Sequence, residues 1–377
     1  LEGAGTWNGL YGDAGNTGSS PDELVKGPLG VLWFGEPGSE HMLDRHARAV
    51  SPLAVNGRLF VQGMEVVMGY DAYNGTFLWK REIKGAVRSR ADVDGSNLFA
   101  TEEALFVAAE DRTLQLDPQT GVTIREFPVP DRSDNNVRRW GYISIEDGIL
   151  IGSGAVPLLY EYGHTWNDMI SDGKWKPKAE VPEFYHGIKA RRSSIDESIV
   201  DYFPRKYPTP NKAASDEFKR DGYHWKFSGN FPGWLPDHTP SPVNDKMMIS
   251  DSVFGYDIKS GQLLWHRQGH HIPQISLTRG EGQLYFVDSG LSEEEKVQAA
   301  IDREAQIADG IYQPHDEANL SFDDRDFRRV VALDARTGET QWSKNMDLSG
   351  AGGNKLGAAY KDGRLLFFGH YSNHDQT

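Results

Sequence analysis

The chain has 377 residues and no cysteine. That absence excludes disulfides, thiolate metal sites and covalent haem attachment within it. No apolar run approaches the ~18–20 residues needed to cross a bilayer, so no membrane span is expected. Basic residues are in the minority, 40 Lys and Arg against 55 Asp and Glu, for a formal net charge of −15. Such a balance argues against a general nucleic-acid or anionic-membrane binder, and it suits an exported protein kept soluble by its acid. Residues 1–20 lack the basic start and apolar core of a secretory signal. There is no His-Glu-x-x-His sequence and there are few helix-like runs.

What the chain does have is glycine (41 residues), aromatics (11%) and a repeated phrase. Fixed self-similarity marks a repeat architecture. The phrase is an apolar strand, Asp-x-x-x-Gly, and a second strand that often ends in Trp. It occurs at Asp71/Gly75/Trp79, Asp117/Gly121, Asp257/Gly261/Trp265 and Asp334/Gly338/Trp342. The Asp side chain is expected to accept hydrogen bonds from its own turn. The Gly is expected at positive φ, and the Trp between neighbouring sheets. A second hairpin signal precedes most copies, as Asn56-Gly57, Asp147-Gly148, Gly280-Glu281-Gly282 and Asp362-Gly363. Two such hairpins make a four-stranded antiparallel unit, one blade of an all-β propeller.

The copies begin 46, 140 and 77 residues apart, so the two longer gaps must hold insertions or eroded blades. Residues 164–245 are rich in aromatics, charge and proline, and long loops of this kind are usually functional. Residues 290–327 include Ser292 and Glu295, a capping box that predicts a helix of ~17 residues. Val31–Gly35 reads as an outermost strand with no inner strands before it, and 356–369 as two inner strands with nothing after them. The expected division is an extension at 1–29 and a propeller at 30–377 that is incomplete, with about four to five blades here and further blades elsewhere.

The segment Val331-Ala332-Leu333-Asp334-Ala335-Arg336-Thr337-Gly338-Glu339-Thr340-Gln341-Trp342 resembles the repeat of the PQQ-binding-like β-propeller superfamily. Trp7 to Asn16, followed by Gly30 to Gly35, is similar to large propeller proteins of planctomycete-type bacteria. The resemblance covers about residues 30–370. It implies a full ring of seven or eight blades and an exported, periplasmic or extracellular protein. It also implies PQQ and Ca²⁺ as candidate cofactors. Many quinoprotein alcohol dehydrogenases of the superfamily carry a vicinal disulfide, which this chain cannot form. The superfamily's cofactor set, a Trp floor, a carboxylate-held Ca²⁺ and a catalytic Asp, has no matching motif here, although Trp140 is a candidate floor.

Propeller ligands usually sit where chain enters or leaves the innermost strands. Polar residues recur at such places: Arg45 and His46, Arg88 and Arg90, Arg138, Arg139 and Trp140, and His270, His271 and Gln274. Together they would make a cationic mouth for an anionic ligand such as a quinone carboxylate, an acidic glycan or a partner's acidic strand. The ordinary alternative is that these side chains are solvated or bonded to nearby backbone. Asp71 and Asp334 read as turn formers, not Ca²⁺ ligands, and no metal site is expected. Asn74-Gly75-Thr76 and Asn319-Leu320-Ser321 match the N-glycosylation pattern, the first inside the repeat turn. Three functions remain open at this level. They are a binding or scaffold module for a protein partner or anionic glycan, a quinone-dependent oxidoreductase, and a polysaccharide-degrading enzyme using His46, His271 and Tyr142. Whether the chain is an enzyme is not settled by its sequence.

Overall fold

The structure is a computed structural model. It describes residues 2–35, 51–63, 65–86, 96–131, 138–155, 249–312, 322, 325–349, 351 and 356–369. Arg45, His46, Arg88, Arg90, Asn319 and the 164–245 insertion lie outside them.

Four consecutive four-stranded antiparallel sheets form four propeller blades. Blade 1 holds β1 (Leu53–Val55), β2 (Arg58–Gly63), β3 (Val66–Asp71) and β4 (Phe77–Glu82). Blade 2 holds β5 (Leu98–Ala100), β6 (Leu105–Ala109), β7 (Arg112–Leu116) and β8 (Thr123–Pro128). Blade 3 holds β9 (Arg139–Glu146), β10 (Ile149–Ala155), β11 (Ile249–Asp257) and β12 (Leu263–Pro273). Blade 4 holds β13 (Thr278–Gly280), β14 (Gln283–Asp288), β15 (Phe327–Asp334) and β16 (Thr340–Asp347). A two-stranded sheet follows, β17 (Leu356–Lys361) and β18 (Arg364–Gly369). The 140-residue gap between repeat copies is therefore one blade opened between β10 and β11. In the next blade the helix α1 (Glu293–Ala308) interrupts β14 and β15. Ser292 caps it with both halves of the capping box in place.

Each Asp-x-x-x-Gly turn is built alike. The first carboxylate accepts the N–H groups of Tyr73 and Asn74 at 2.9 and 3.1 Å. Asp117 and Asp334 do the same two and three residues on. The glycine N–H returns to the Asp carbonyl at 2.8–2.9 Å in all four copies. Gly75, Gly121, Gly261 and Gly338 have φ of 73°, 71°, 80° and 73°. An L side chain would be strained there, and it would also meet a neighbour.

At three of the four turns that neighbour is an indole, and it joins the blades. Trp79, at the end of blade 1, lays its ring on Gly121 of blade 2, where an added Cβ would sit 2.6 Å from it. Its Nε1–H donates to the Pro118 carbonyl at 3.1 Å. Trp265 treats the blade 4 turn identically, over Gly338 and onto the Ala335 carbonyl at 3.0 Å. Trp33 does so on the blade 1 turn, over Gly75 and onto the Ala72 carbonyl at 2.9 Å. Residues 31–35 carry this contact without forming the expected strand, and Val31, Leu32 and Phe34 are exposed. No strand among the described residues pairs with them. Behind the indoles, register places Gly69 opposite Trp79 and Gly255 opposite Trp265, so each ring lies between two glycines.

Gly261, in the blade 3 turn, differs from the other three. It keeps the positive φ and the bond to the Asp257 carbonyl, but no indole lies on it. The sheet before it has no Trp at the matching place. Arg125 stands there instead, paired with Gln115. Its guanidinium lies over Gly261, where it would collide with an added Cβ, and donates to the Lys259 and Ser260 carbonyls of the same turn. A planar cation with several donors can cover a glycine as an indole does, at a more exposed and polar joint.

Two consequences are testable by urea denaturation. Trp79→Ala should cost ~3–5 kcal/mol, as expected for a buried Trp truncated to Ala. Arg125→Ala, at an exposed polar contact, should cost less than about 1 kcal/mol. The turn carboxylates also set an acid limit. Hydrogen bonds hold Asp117 (foremost from the Thr120 hydroxyl), Asp257 (foremost from the Ser260 N–H) and Asp334 (foremost from the Thr337 N–H) below the ordinary 3.8. Because the folded values are the lower ones, the contribution is complete above 3.8 and is lost as pH falls through the folded values. The urea midpoint should therefore drop as the pH falls below about 4, and Asp257→Asn should flatten that drop.

Candidate functional site

The blades have two unlike faces. The tight hairpin turns and the Asp-x-x-x-Gly turns share one of them, as the bond from Ala72 N–H to the Gly57 carbonyl shows at 2.9 Å. The N-terminal segment closes this turn face. Trp7 exchanges backbone bonds with Ala54 of β1 at 2.8 and 3.0 Å, and Asn8 accepts from the Ala100 N–H of β5 at 2.8 Å. Farther along, Ala14 accepts from Arg279 of β13 and Gly15 from Tyr360 of β17, both at 2.8 Å. The Asn16 side chain donates to the Leu277 and Ala358 carbonyls at 2.9 and 3.0 Å. The segment 7–16 is thus a strap across the innermost strands of blades 1, 2 and 4 and of β17.

The opposite face receives every longer connection. Antiparallel order puts the starts of β1, β5 and β9 there, together with the exit at Ala155, the return at Ile249, and the β14–β15 connection that carries α1. The expected site residues that the structure describes lie on this loop face or just inside it, at blades 3 and 4. They play different parts.

Arg138 is buried and crosses β10 to reach Asp251 on β11, donating through Nε at 3.1–3.2 Å and through Nη2 at 2.8 Å. Gly154 lies beneath the pair: a Cβ there would be 3.7 Å from the Arg138 stem and would press on Ser252 Oγ. Arg139 is half-buried. Trp140 is fully buried, edge-on to Phe254 at 4.9 Å and stacked on Tyr256 at 6.3 Å, and its N–H donates to the Tyr142 carbonyl. Its ring lies in the apolar seam between blades 2 and 3, in one cluster with Phe99, Phe106 and Phe127, and so does not fit the role of a quinone floor. Gln274 is also fully buried, donating to Ser250 Oγ at 3.3 Å in a hydroxyl cluster with Ser153. His270 is 72% exposed, with Nδ1 3.8 Å from Asp288. Asp288 itself accepts the backbone N–H groups of His270, His271 and Ser289, which fixes the rim.

Among the described residues, Arg138 is held by Asp251 and His270 lies beside Asp288; Arg45, His46, Arg88 and Arg90, the other cations expected at this mouth, lie outside them. Tyr142, the candidate catalytic phenol, is buried, and burial pushes its hydroxyl up to about 12, too high for a base near neutrality. Among the described residues no group of three or more His, Asp or Glu side chains is placed to hold a metal, and no helix is long and apolar enough to cross a membrane. Asn74 lies in the exposed blade 1 turn and accepts from Thr76 N–H. Two partners escaped sequence reading, Asp251 and Asp288. Neither lies near its partner in a motif, and Arg138 and Asp251 are 113 residues apart.

Arg138→Ala should destabilise the chain by ~3–5 kcal/mol, because Asp251 is then left as an uncompensated buried charge. The double change Arg138→Met with Asp251→Leu should recover most of that loss. Thermal and urea unfolding of the three variants checks both statements.

No family model matches the chain, and no curated protein matches it. Solved structures do. BamB from Moraxella catarrhalis aligns with 85% of this chain and 62% of its own, at 11% identity and a TM-score of 0.34. Quinohemoprotein alcohol dehydrogenase from Comamonas testosteroni aligns with 96% of this chain and 45% of its own, at 12% identity and a TM-score of 0.41. The quinohemoprotein alcohol dehydrogenase ADHIIG from Pseudomonas putida HK5 aligns with 87% and 39%, at 13% identity and 0.38. The chain spans less than two thirds of each. The propeller assignment rests on the chain's own four sheets and the contacts between them.

Proposed function

We propose that the chain is an exported binding or scaffold module that holds a protein partner on its loop face. Residues 30–377 then form one propeller domain with insertions at 164–245 and 290–327, and residues 1–29 are an extension that straps the other mouth. The observation that carries this reading is the asymmetry of the faces. Short self-satisfied turns and the strap occupy one. The long connections and the exposed His270 occupy the other. Rigid blades presenting variable loops on one side are a common way to build a recognition surface. The described cations Arg138 and His270 each stand beside an acid, which suits a protein surface better than a uniformly anionic glycan. The quinone reading gains no support from Trp140, whose ring is taken by the seam between blades 2 and 3.

The test is purification of the protein from its own source, with a UV–visible spectrum and native mass spectrometry. The expected result is a stoichiometric protein partner and no quinone-like band. Replacing residues 156–248 by a two-residue turn between β10 and β11 should leave the blades folded and release that partner. A quinone-like absorbance with a matching bound mass, or a partner that survives the replacement, would reject the reading.

A further inference from the structure

The strap is more ordered than a tether needs to be. Residues 7–16 read Trp-Asn-Gly-Leu-Tyr-Gly-Asp-Ala-Gly-Asn, with a glycine at every third step from Gly9 to Gly15. They belong to a segment that folds upon itself. The Asn8 N–H donates to the Gly12 carbonyl at 2.6 Å, that of Gly18 to Tyr11 at 2.8 Å, and that of Glu23 to Gly3 at 2.9 Å. The Asp22 carboxylate accepts the Gly5 N–H at 2.7 Å. Residues 26–32 beyond it are exposed, and Trp33 returns the chain to blade 1. The strap is thus a small preorganised unit on an exposed linker.

The blades read its sequence at both ends. An added Cβ at Gly9 would stand 3.0 Å from the Phe99 ring. At Gly15 it would stand 2.6 Å from the Tyr360 carbonyl and 3.2 Å from that of Arg279, backbone that cannot give way. Gly12 is required by the strap's own turn, at a φ of 94°. The Asn8 side chain donates to the Ala100 carbonyl at 2.8 Å, beside the backbone bond the same two residues share. Asn16 donates to two carbonyls, of Leu277 and Ala358, from a φ of 56°, a left-handed value that Asn tolerates better than most residues. Leu10 is buried between these ends. Fixed glycines, two amide side chains and backbone bonds to exposed strand edges are the elements by which a protein recognises an extended peptide.

We propose that the turn face carries a peptide-recognition site for the pattern Trp-Asn-Gly-x-x-Gly-x-x-Gly-Asn, filled by the chain's own residues 7–16 and open to the same segment of a second copy. Every copy carries both the site and the segment, and exchange between copies makes no contact that is not already made. The covalent linker raises the local concentration of the segment and supplies none of the bonds that hold it. The site lies on the opposite face from the loops and stands or falls without the loop-face reading.

The test keeps the whole chain. A protease recognition sequence is inserted between Lys26 and Gly27 and cut after folding. Native mass spectrometry should find the 1–26 fragment still bound, one to each body. A labelled synthetic peptide of residues 1–26, added in excess, should then replace it saturably. The peptide carrying Gly15→Val should not replace it, because its side chain meets the Tyr360 carbonyl. The peptide carrying Asn16→Ala loses both side-chain bonds and should need about ten times the concentration. Both changes are in the peptide, so misfolding of the body cannot imitate either result. A fragment that leaves on cutting, a fragment that the unaltered peptide does not replace up to about 1 mM, or equal replacement by the Gly15→Val peptide would overturn the proposal.

Discussion

An indole lying on a glycine is the contact on which this structure depends. A sheet of four short strands cannot bury both faces alone, so each blade is stable only against its neighbours. The joining contact makes that dependence specific. The indole covers apolar surface and its N–H is satisfied at one carbonyl, and both require that the opposing turn have no side chain at its fourth step. The same glycine supplies the positive φ that closes the turn. One residue therefore serves local conformation and long-range docking together, and replacing it damages both.

The repeat made the blades legible and left their assembly hidden. Asp-x-x-x-Gly and the Asn-Gly or Asp-Gly hairpins carry their own turn chemistry within ten residues, so the strands around Asp71, Asp257 and Asp334 follow from local rules. The docking partners do not. Trp79 reaches a carbonyl 39 residues on and Trp265 one 70 residues on, because α1 and its flanks lie in between. The substitution at Arg125 was visible only by counting eight residues from Asp117, and its meaning only once Gly261 was seen beneath it. Gly69 and Gly255, two residues before their Asp, carried an unread sign of the buried ring. Gln115 and Arg125 show the correlation from the other side, since the glycine and the Trp are absent together.

The site was less legible than the fold for a physical reason. Polar residues ahead of an innermost strand can turn outward to a ligand or inward to an acid, and the sequence near Arg138 does not distinguish these. The choice was made by Asp251 and by the missing side chain at Gly154, both on other strands. Trp140 and Gln274 faced the same choice, and went into the seam between blades 2 and 3 and into the hydroxyl cluster of Ser153 and Ser250. His270 stayed in solvent because its backbone, not its ring, is what Asp288 holds.

The strap and the rim then divide the labour between the two faces. On the turn face, residues 7–16 commit their backbone groups to four separate innermost strands, and this ties together sheets that otherwise touch only sideways. That cross-linking should make the channel end rigid and poorly suited to loops that must adapt. On the loop face no comparable tie is present among the described residues, and the 156–248 connection leaves and returns beside the Arg138–Asp251 pair. A buried ion pair at that point adds little net stability but fixes geometry, since neither charge tolerates losing the other. Rigid where it is closed and anchored where it is open, the propeller presents its longest insertion from a fixed base.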